Sequence, residues 1–228
     1  MRTYLECYPC FLRQALDAAR RVGAGQAQQK LLLDEVLRTL MRADLAWTPP
    51  QIADRVHALA RSLLGDPDPY RLHKEASTRE ALALVPRLQA MLREAADPLE
   101  AAVRLSIAGN IVDAGAGAQI DLWGSVQRAL SLPLAESDME ALRRALENAG
   151  EVLYLGDNAG ETVFDRLLIE TLGKPVVYAV KGGPVLNDAT EEDARAAGLD
   201  RAARLLSTGS DSPGTILERC SDEFRRAY

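Results

Sequence analysis

Apolar positions recur at helical spacing through the first two-thirds of the chain, and beyond Gly150 they collect into short continuous runs. Over residues 4–22, Leu5, Phe11, Leu12, Ala15, Leu16 and Ala19 follow the helical period, and Gly23 and Gly25 stop the segment. Over 26–43, Leu31, Leu32, Val36, Leu37 and Leu40 share one face. At Thr48-Pro49-Pro50 a capping residue precedes a proline suited to the first helical turn, which predicts a helix over 50–64. The stretch from Gly65 to Tyr70 is rich in turn residues. Further helices are predicted over 71–95, 98–114, 121–131 and 137–148, and no strand pattern precedes residue 150.

Beyond that point the pattern alternates. Val152-Leu153-Tyr154-Leu155 reads as a strand ended by Gly156, and Pro175 to Val180 as a second ended by Gly182-Gly183-Pro184. Arg204-Leu205-Leu206-Ser207 reads as a third. Helices are expected over 161–172, over 190–197 with Gly198 as the stop, and from Ser212-Pro213 to about Tyr228. Strands alternating with helices imply a parallel sheet with right-handed crossovers. The expected class is α/β: a mainly helical region over 1–149, then a Rossmann-like parallel sheet with flanking helices over 150–228 that carries the site. Three strands make a small parallel sheet. That points to a strand elsewhere or to a chain that stops short of its natural end.

Ligands of an open parallel sheet bind beyond the carboxyl ends of its strands. Three loops fall there: Gly156 to Glu161, Lys181 to Asp188, and Ser207 to Gly214. Asp157, Asn158 and Asp188 offer two carboxylates and an amide carbonyl, a hard-oxygen set suited to Mg²⁺ or Mn²⁺ with positions left for water and phosphate. The competing reading is that Asp157 and Asn158 cap the following helix. Lys181 is one of four lysines and stands between a strand and a Gly-Gly turn, where it would meet a phosphate as a point charge. Glu161 opens its helix, either to fix a substrate hydroxyl or metal-bound water or to complement the helix dipole. Asn187 lies beside Asp188, and Ser207 and Gly209 belong to a loop whose amides, leading into a helix, would suit an anion. Asn110 and Asp113 share a helix face, as a buried network or as a wall of the site.

Composition narrows the classes. The net charge is -6 with no basic run, which disfavours nucleic acid as a partner. No stretch of membrane-spanning length is present, and the N-terminus has no apolar signal core, so a cytoplasmic protein is expected. Three cysteines make no disulfide framework. Cys7 and Cys10 form half of a metal or redox motif, with Cys220, His57 and His73 as the remaining candidate partners, and burial is the favoured reading.

Taken together, several segments resemble the DUF89 family, the damage-control phosphatase or ARMT1-like family, in its archaeal and bacterial branch. They are Glu6 to Ala15 with its Cys-x-x-Cys, Asp68-Pro69-Tyr70 with Lys74, Gly109-Asn110-Ile111-Val112-Asp113, Gly156 to Glu161, and Lys181 to Thr190. The resemblance implies a helical domain joined to a Rossmann-like one. It also implies divalent-metal-dependent hydrolysis of small phosphorylated metabolites, such as sugar phosphates or phosphopantetheine-type compounds. It assigns the metal to Asp157, Asn158 and Asp188 and a substrate contact to Glu161. It further implies a later strand with a Lys-Gly…Asn segment that would reach the site from beyond Tyr228; without that segment the phosphate-holding role falls to Lys181.

The expected cofactor is therefore Mg²⁺ or Mn²⁺, with Co²⁺ or Ni²⁺ as further candidates, and the expected partner is a small phosphorylated metabolite. A methyl- or other group transferase is the alternative enzyme, although no Gly-x-Gly-x-x-Gly or Gly-Lys-Ser/Thr loop is present. A non-catalytic metabolite-binding protein is the third reading. Pocket walls are expected from the helical part.

Overall fold

The computed structural model describes residues 2–115, 122–133 and 137–228, apart from the side chains of 111–122 and 125. Helices α1 (Cys7–Arg21), α2 (Gln26–Met41), α3 (Pro49–Leu64), α4 (Arg71–Glu94), α5 (Pro98–Gly115), α6 (Leu122–Ser131) and α7 (Met139–Asn148) come first. Strand β1 (Val152–Leu155), helix α8 (Thr162–Leu172), strand β2 (Val176–Val180), helix α9 (Glu191–Ala196), strand β3 (Arg204–Ser207) and helix α10 (Asp222–Ala227) follow. The α3 start is a full capping box: the Thr48 hydroxyl accepts from the Gln51 N–H, and the Gln51 side chain accepts from the Thr48 N–H.

The strands lie in the order β1-β2-β3 with both pairs parallel. Val152 pairs with Val176, and Val177 with Arg204. All five β2 residues are buried because the strand is central and covered on both faces. Side chains alternate across it. Val176, Tyr178 and Val180 pack with Ile169 of α8, Ala194 of α9 and Leu199. Val177 and Ala179 pack with Leu206, Cys220 and Phe224 of α10.

The early helices divide between two cores. Helices α1, α2 and α3 bury Phe11, Ala15, Leu32, Val36, Ile52 and Val56 against one another. Helices α4, α5 and α6 instead bury Leu88, Leu105 and Val126 against Val163, Phe164 and Leu167 of α8. Gly109 of α5 permits that contact, since a Cβ there would stand 3.0 Å from the Phe164 side chain. No described helix is long and apolar enough to cross a membrane.

One expectation is corrected. The segment from Ser212-Pro213 is not a continuous helix: a loop leads to a single 3₁₀ turn over Leu217–Arg219, and α10 starts only at Asp222 under a Ser221 cap. The Ser212 hydroxyl is drawn to Asp54 of α3 at 2.8 Å, and Gly214 takes a positive φ of 65°, which ends any helical path. The helix N-terminus expected to face an anion at Ser212 is therefore absent.

Candidate active site

The three loops at the carboxyl ends of the strands are stitched together by their backbones. Asn158 and Asp188 form an isolated antiparallel bridge, with Ala159 N–H donating to the Asn187 carbonyl at 2.9 Å and Ala189 N–H to the Asp157 carbonyl at 2.7 Å. Lys181 N–H donates to the Ala189 carbonyl at 2.9 Å, closing the second loop on itself. Gly182 N–H donates to the Ser210 carbonyl at 2.8 Å, joining the second loop to the third. Glycine is required at 182, because a Cβ would come within 2.4 Å of the Gly209 backbone.

Beneath the first loop lies a buried carboxylate. Asp165, in the first turn of α8, is 1% exposed and accepts from the hydroxyls of Tyr154 (2.6 Å), Tyr178 (2.6 Å) and Ser106 (2.8 Å). Tyr154 and Tyr178 are paired in the β1–β2 register and their rings stack at 5.2 Å. Burial raises the Asp165 pKa, while the three hydroxyl donors act to lower it. Burial raises both tyrosines further above their ordinary value, and Asp165 adds to it. Gly156 opens the ligand loop against this layer: a Cβ there would meet the Tyr178 ring at 2.4 Å.

The charged set stands on that support. Asp188 is buried, and its pKa is pushed up to about 6, first by burial and then by Asp157, against the opposing pull of Lys181. Lys181, also buried, pairs with Asp188 at 3.3 Å and donates to the Gly214 carbonyl of the third loop. Glu161 is pushed up to about 7, by burial first and then by Asp165, with Asp157 adding to the effect. The Asn158 amide nitrogen donates to Glu161 at 3.1 Å and to Asp157 at 3.3 Å, which leaves its carbonyl oxygen as the candidate ligand atom. Asn110 of α5 donates to Glu161 at 3.4 Å. Helix α8 starts at Thr162, and no side chain caps it at Glu161, so the capping reading of Asp157 and Asn158 has no bond to support it.

Asp157 thus acts on both Asp188 and Glu161 while Lys181 pairs with Asp188, an arrangement of like charges that a divalent cation would relieve. No three His, Cys, Asp or Glu side chains among the described residues are arranged to hold a metal by themselves. The donors that fit are two carboxylates and one amide oxygen, a hard set that leaves positions to a phosphate.

Of the other residues expected at the site, Asn187 reaches the loops through its carbonyl. Ser207 and Gly209 lie in the third loop, but the Gly209 N–H is taken by the Ser207 hydroxyl at 3.1 Å. The Ser210 N–H turns to Thr208 and the Ser212 N–H to Ser210. This loop spends these amides on its own side chains. The side chain of Asp113 lies outside the described residues. Cys7 and Cys10 are half-buried free thiols, Cys7 packing against the core of α1 to α3, while Cys220 is buried.

Two features had no role in the sequence reading, although Lys74 stood among the family segments. The Asp165 network had a signal, namely a carboxylate inside the apolar run Val163 to Leu168. Lys74, 3% exposed, sits between Asp68 and Asp193 at 2.9 Å from each. Burial would lower the Lys74 pKa, but Asp193 and Asp68 outweigh it and hold the ammonium above its usual value. Asp193 in turn accepts from the Thr190 N–H and hydroxyl, so α4 is fastened to the end of the Asp188 loop.

The damage-control phosphatase ARMT1-like domain matches residues 3–228 of the chain. The damage-control phosphatase of Archaeoglobus fulgidus is 31% identical over 232 residues, covering 97% of this chain and 79% of that protein. The damage-control phosphatase of Pyrococcus horikoshii is 30% identical over 244 residues, covering 100% and 80%. A crystal structure of a DUF89 family protein from Pyrococcus horikoshii superposes with a TM-score of 0.88 at 28% identity, over 100% of this chain and 81% of that one. With the fold and nearly the whole length matched, the chain belongs to the damage-control phosphatase ARMT1-like family, DUF89.

Proposed function

We propose that this protein is a divalent-metal-dependent phosphatase acting on small phosphorylated metabolites of the sugar-phosphate or phosphopantetheine kind. Asp157, Asn158 and Asp188 would hold the cation. The observation that carries this reading is the backbone bridge between Asn158 and Asp188, which sets two carboxylates and an amide on adjoining loops beside the buried Lys181. The names of the two damage-control phosphatases support the reaction class.

A divalent cation, when bound, supplies Lewis-acid polarisation of a phosphoryl oxygen. Lys181 balances charge on the transferred phosphoryl oxygens from a site shielded from water, where one fixed cation counts for more than in solvent. Glu161, poised near neutral pH, takes the proton of the attacking water, and the amides of Asn158 and Asn110 orient its carboxylate. Asp165 and its three hydroxyl donors keep the first loop from shifting while charge redistributes.

The test is phosphate release from a panel of phosphorylated metabolites after metal stripping, with Mg²⁺, Mn²⁺, Co²⁺ or Ni²⁺ returned singly and a chelator as control. Release that needs a metal supports the reading. Release unaffected by chelator counts against it, and methyl-donor binding without phosphate release would favour a transferase.

A further inference from the structure

We infer that the apolar cavity lined by Cys7, Cys10, Phe11, Pro50, Leu186 and Pro213 binds an apolar segment of the phosphorylated substrate, so that the preferred substrates are phosphate monoesters with an apolar tail. The inference rests on the phosphatase reading and names the substrate class of that same site.

The cavity measures about 260 Å³, close to the lower end for small-molecule pockets. One wall comes from the helical part: Cys7, Cys10 and Phe11 of the first turns of α1, and Pro50 of α3. Cys7 and Cys10 are three apart and share a helix face, where half-buried thiols act as small hydrophobes. The other wall comes from Leu186 of the second loop, which carries Lys181 and Asp188, and from Pro213 of the third. Leu186 stands two residues before Asp188, a backbone span of at most about 7 Å. Pro213 precedes Gly214, whose carbonyl accepts from Lys181. The wall thus adjoins, along the chain, both Asp188 and the carbonyl that Lys181 bonds.

Two features show a built wall rather than a packing gap. Leu186 is the only described non-glycine residue with a positive φ, 49°, a conformation that L side chains avoid and that clusters at binding sites. Helix α3 clamps both loops: Arg61 donates to the Pro184 carbonyl at 3.3 Å and to Asp211 at 2.7 Å, and Asp54 accepts from Ser212. The Cys-x-x-Cys pair, unused by the phosphatase chemistry, acquires a role as pocket lining.

The thiols themselves report occupancy. In the metal-loaded protein, the alkylation rate of Cys7 and Cys10 by iodoacetamide is followed against hexylphosphonate and against methylphosphonate, neither of which can be hydrolysed, with buried Cys220 as internal reference. Each buried methylene gives roughly a fourfold gain in affinity, so burial of two or more of the five extra carbons should let the hexyl compound half-protect at about tenfold less ligand or lower still. Equal protection by both compounds, or protection by neither, overturns the inference. A second arm compares kcat/KM for hexyl and methyl phosphate in the wild type and in Cys10→Trp, which fills the cavity. A hexyl preference of about tenfold or more that the variant loses supports the pocket. If neither phosphate is hydrolysed but hexyl-selective protection holds, the phosphatase reading fails and the pocket stands. If both are hydrolysed alike and protected alike, the pocket fails and the phosphatase reading stands.

Discussion

Lys181 and Asp188 form an ion pair of 3.3 Å between two side chains that are each 8% exposed. A pair so buried is costly to break from one side, because the abandoned charge keeps its desolvation penalty without its partner. With chelator present, Lys181→Met should lower unfolding free energy by about 3 kcal/mol in urea titrations. The double variant Lys181→Met/Asp188→Leu should recover much of that loss. Neither variant should release phosphate at more than about a hundredth of the wild-type rate. Retained turnover in the single variant would remove Lys181 from the chemistry.

Loop junctions make a second prediction. Gly182→Ala drives a Cβ to 2.4 Å from the Gly209 backbone and displaces the bond from Gly182 to Ser210. Thermal and urea unfolding should show a loss of about 2 kcal/mol or more, with turnover falling alongside. Gly150→Ala is the control: nothing lies within 4 Å of its added Cβ, so stability should change by less than about 0.5 kcal/mol.

The Asp165 network is testable one hydroxyl at a time. Tyr178→Phe keeps the ring that packs beneath Gly156 but withdraws one donor from a buried carboxylate. A loss of about 1–3 kcal/mol is expected. Because Asp165 only supports the ligand loop, kcat should fall less in Tyr178→Phe than in Asp157→Ala, and steady-state kinetics on the two variants checks this.

Acid stability should show the mark of His57. Its ring is buried against Gln14, and burial, reinforced by Arg61, lowers its pKa from 6.5 to about 4. Between those values the unfolded chain binds a proton that the folded one refuses. The contribution of neutral His57 is therefore complete above pH 6.5 and is lost as pH falls towards 4. The full loss is about 3 kcal/mol. Urea unfolding across that range, wild type against His57→Gln, should show a steeper acid decline in the wild type; parallel curves would contradict it.

Much of the architecture was legible because it rests on local signals. The three strands are apolar runs closed by Gly156, Gly182 and the Ser207 turn, and their observed limits fall within a residue of the pattern. Thr48 before two prolines marked the α3 start. What escaped depends on partners distant in sequence. Periodicity shows that α4 and α5 have an apolar face but not that the face meets α8 rather than α1 to α3. The last helix was overextended because Asp54, more than 150 residues earlier, holds Ser212 in a loop. At the site, the order of Asp157, Asn158, Glu161, Lys181 and Asp188 after successive strands brought those residues together on paper as in the fold. Asp165 went unnoticed and Lys74 was noted without a role, because their roles lie in burial, which neighbouring residues in the chain do not reveal.

One divalent cation, held by Asp157, Asn158 and Asp188, is proposed to drive phosphate release by this chain. Isothermal titration of the metal-stripped protein with Mn²⁺, paired with phosphate release at each titration point, tests it most directly. The account predicts one ion bound per chain, release rising in step with occupancy, and both lost in Asp157→Ala. Release that proceeds before any ion binds, or that survives in Asp157→Ala, would contradict it.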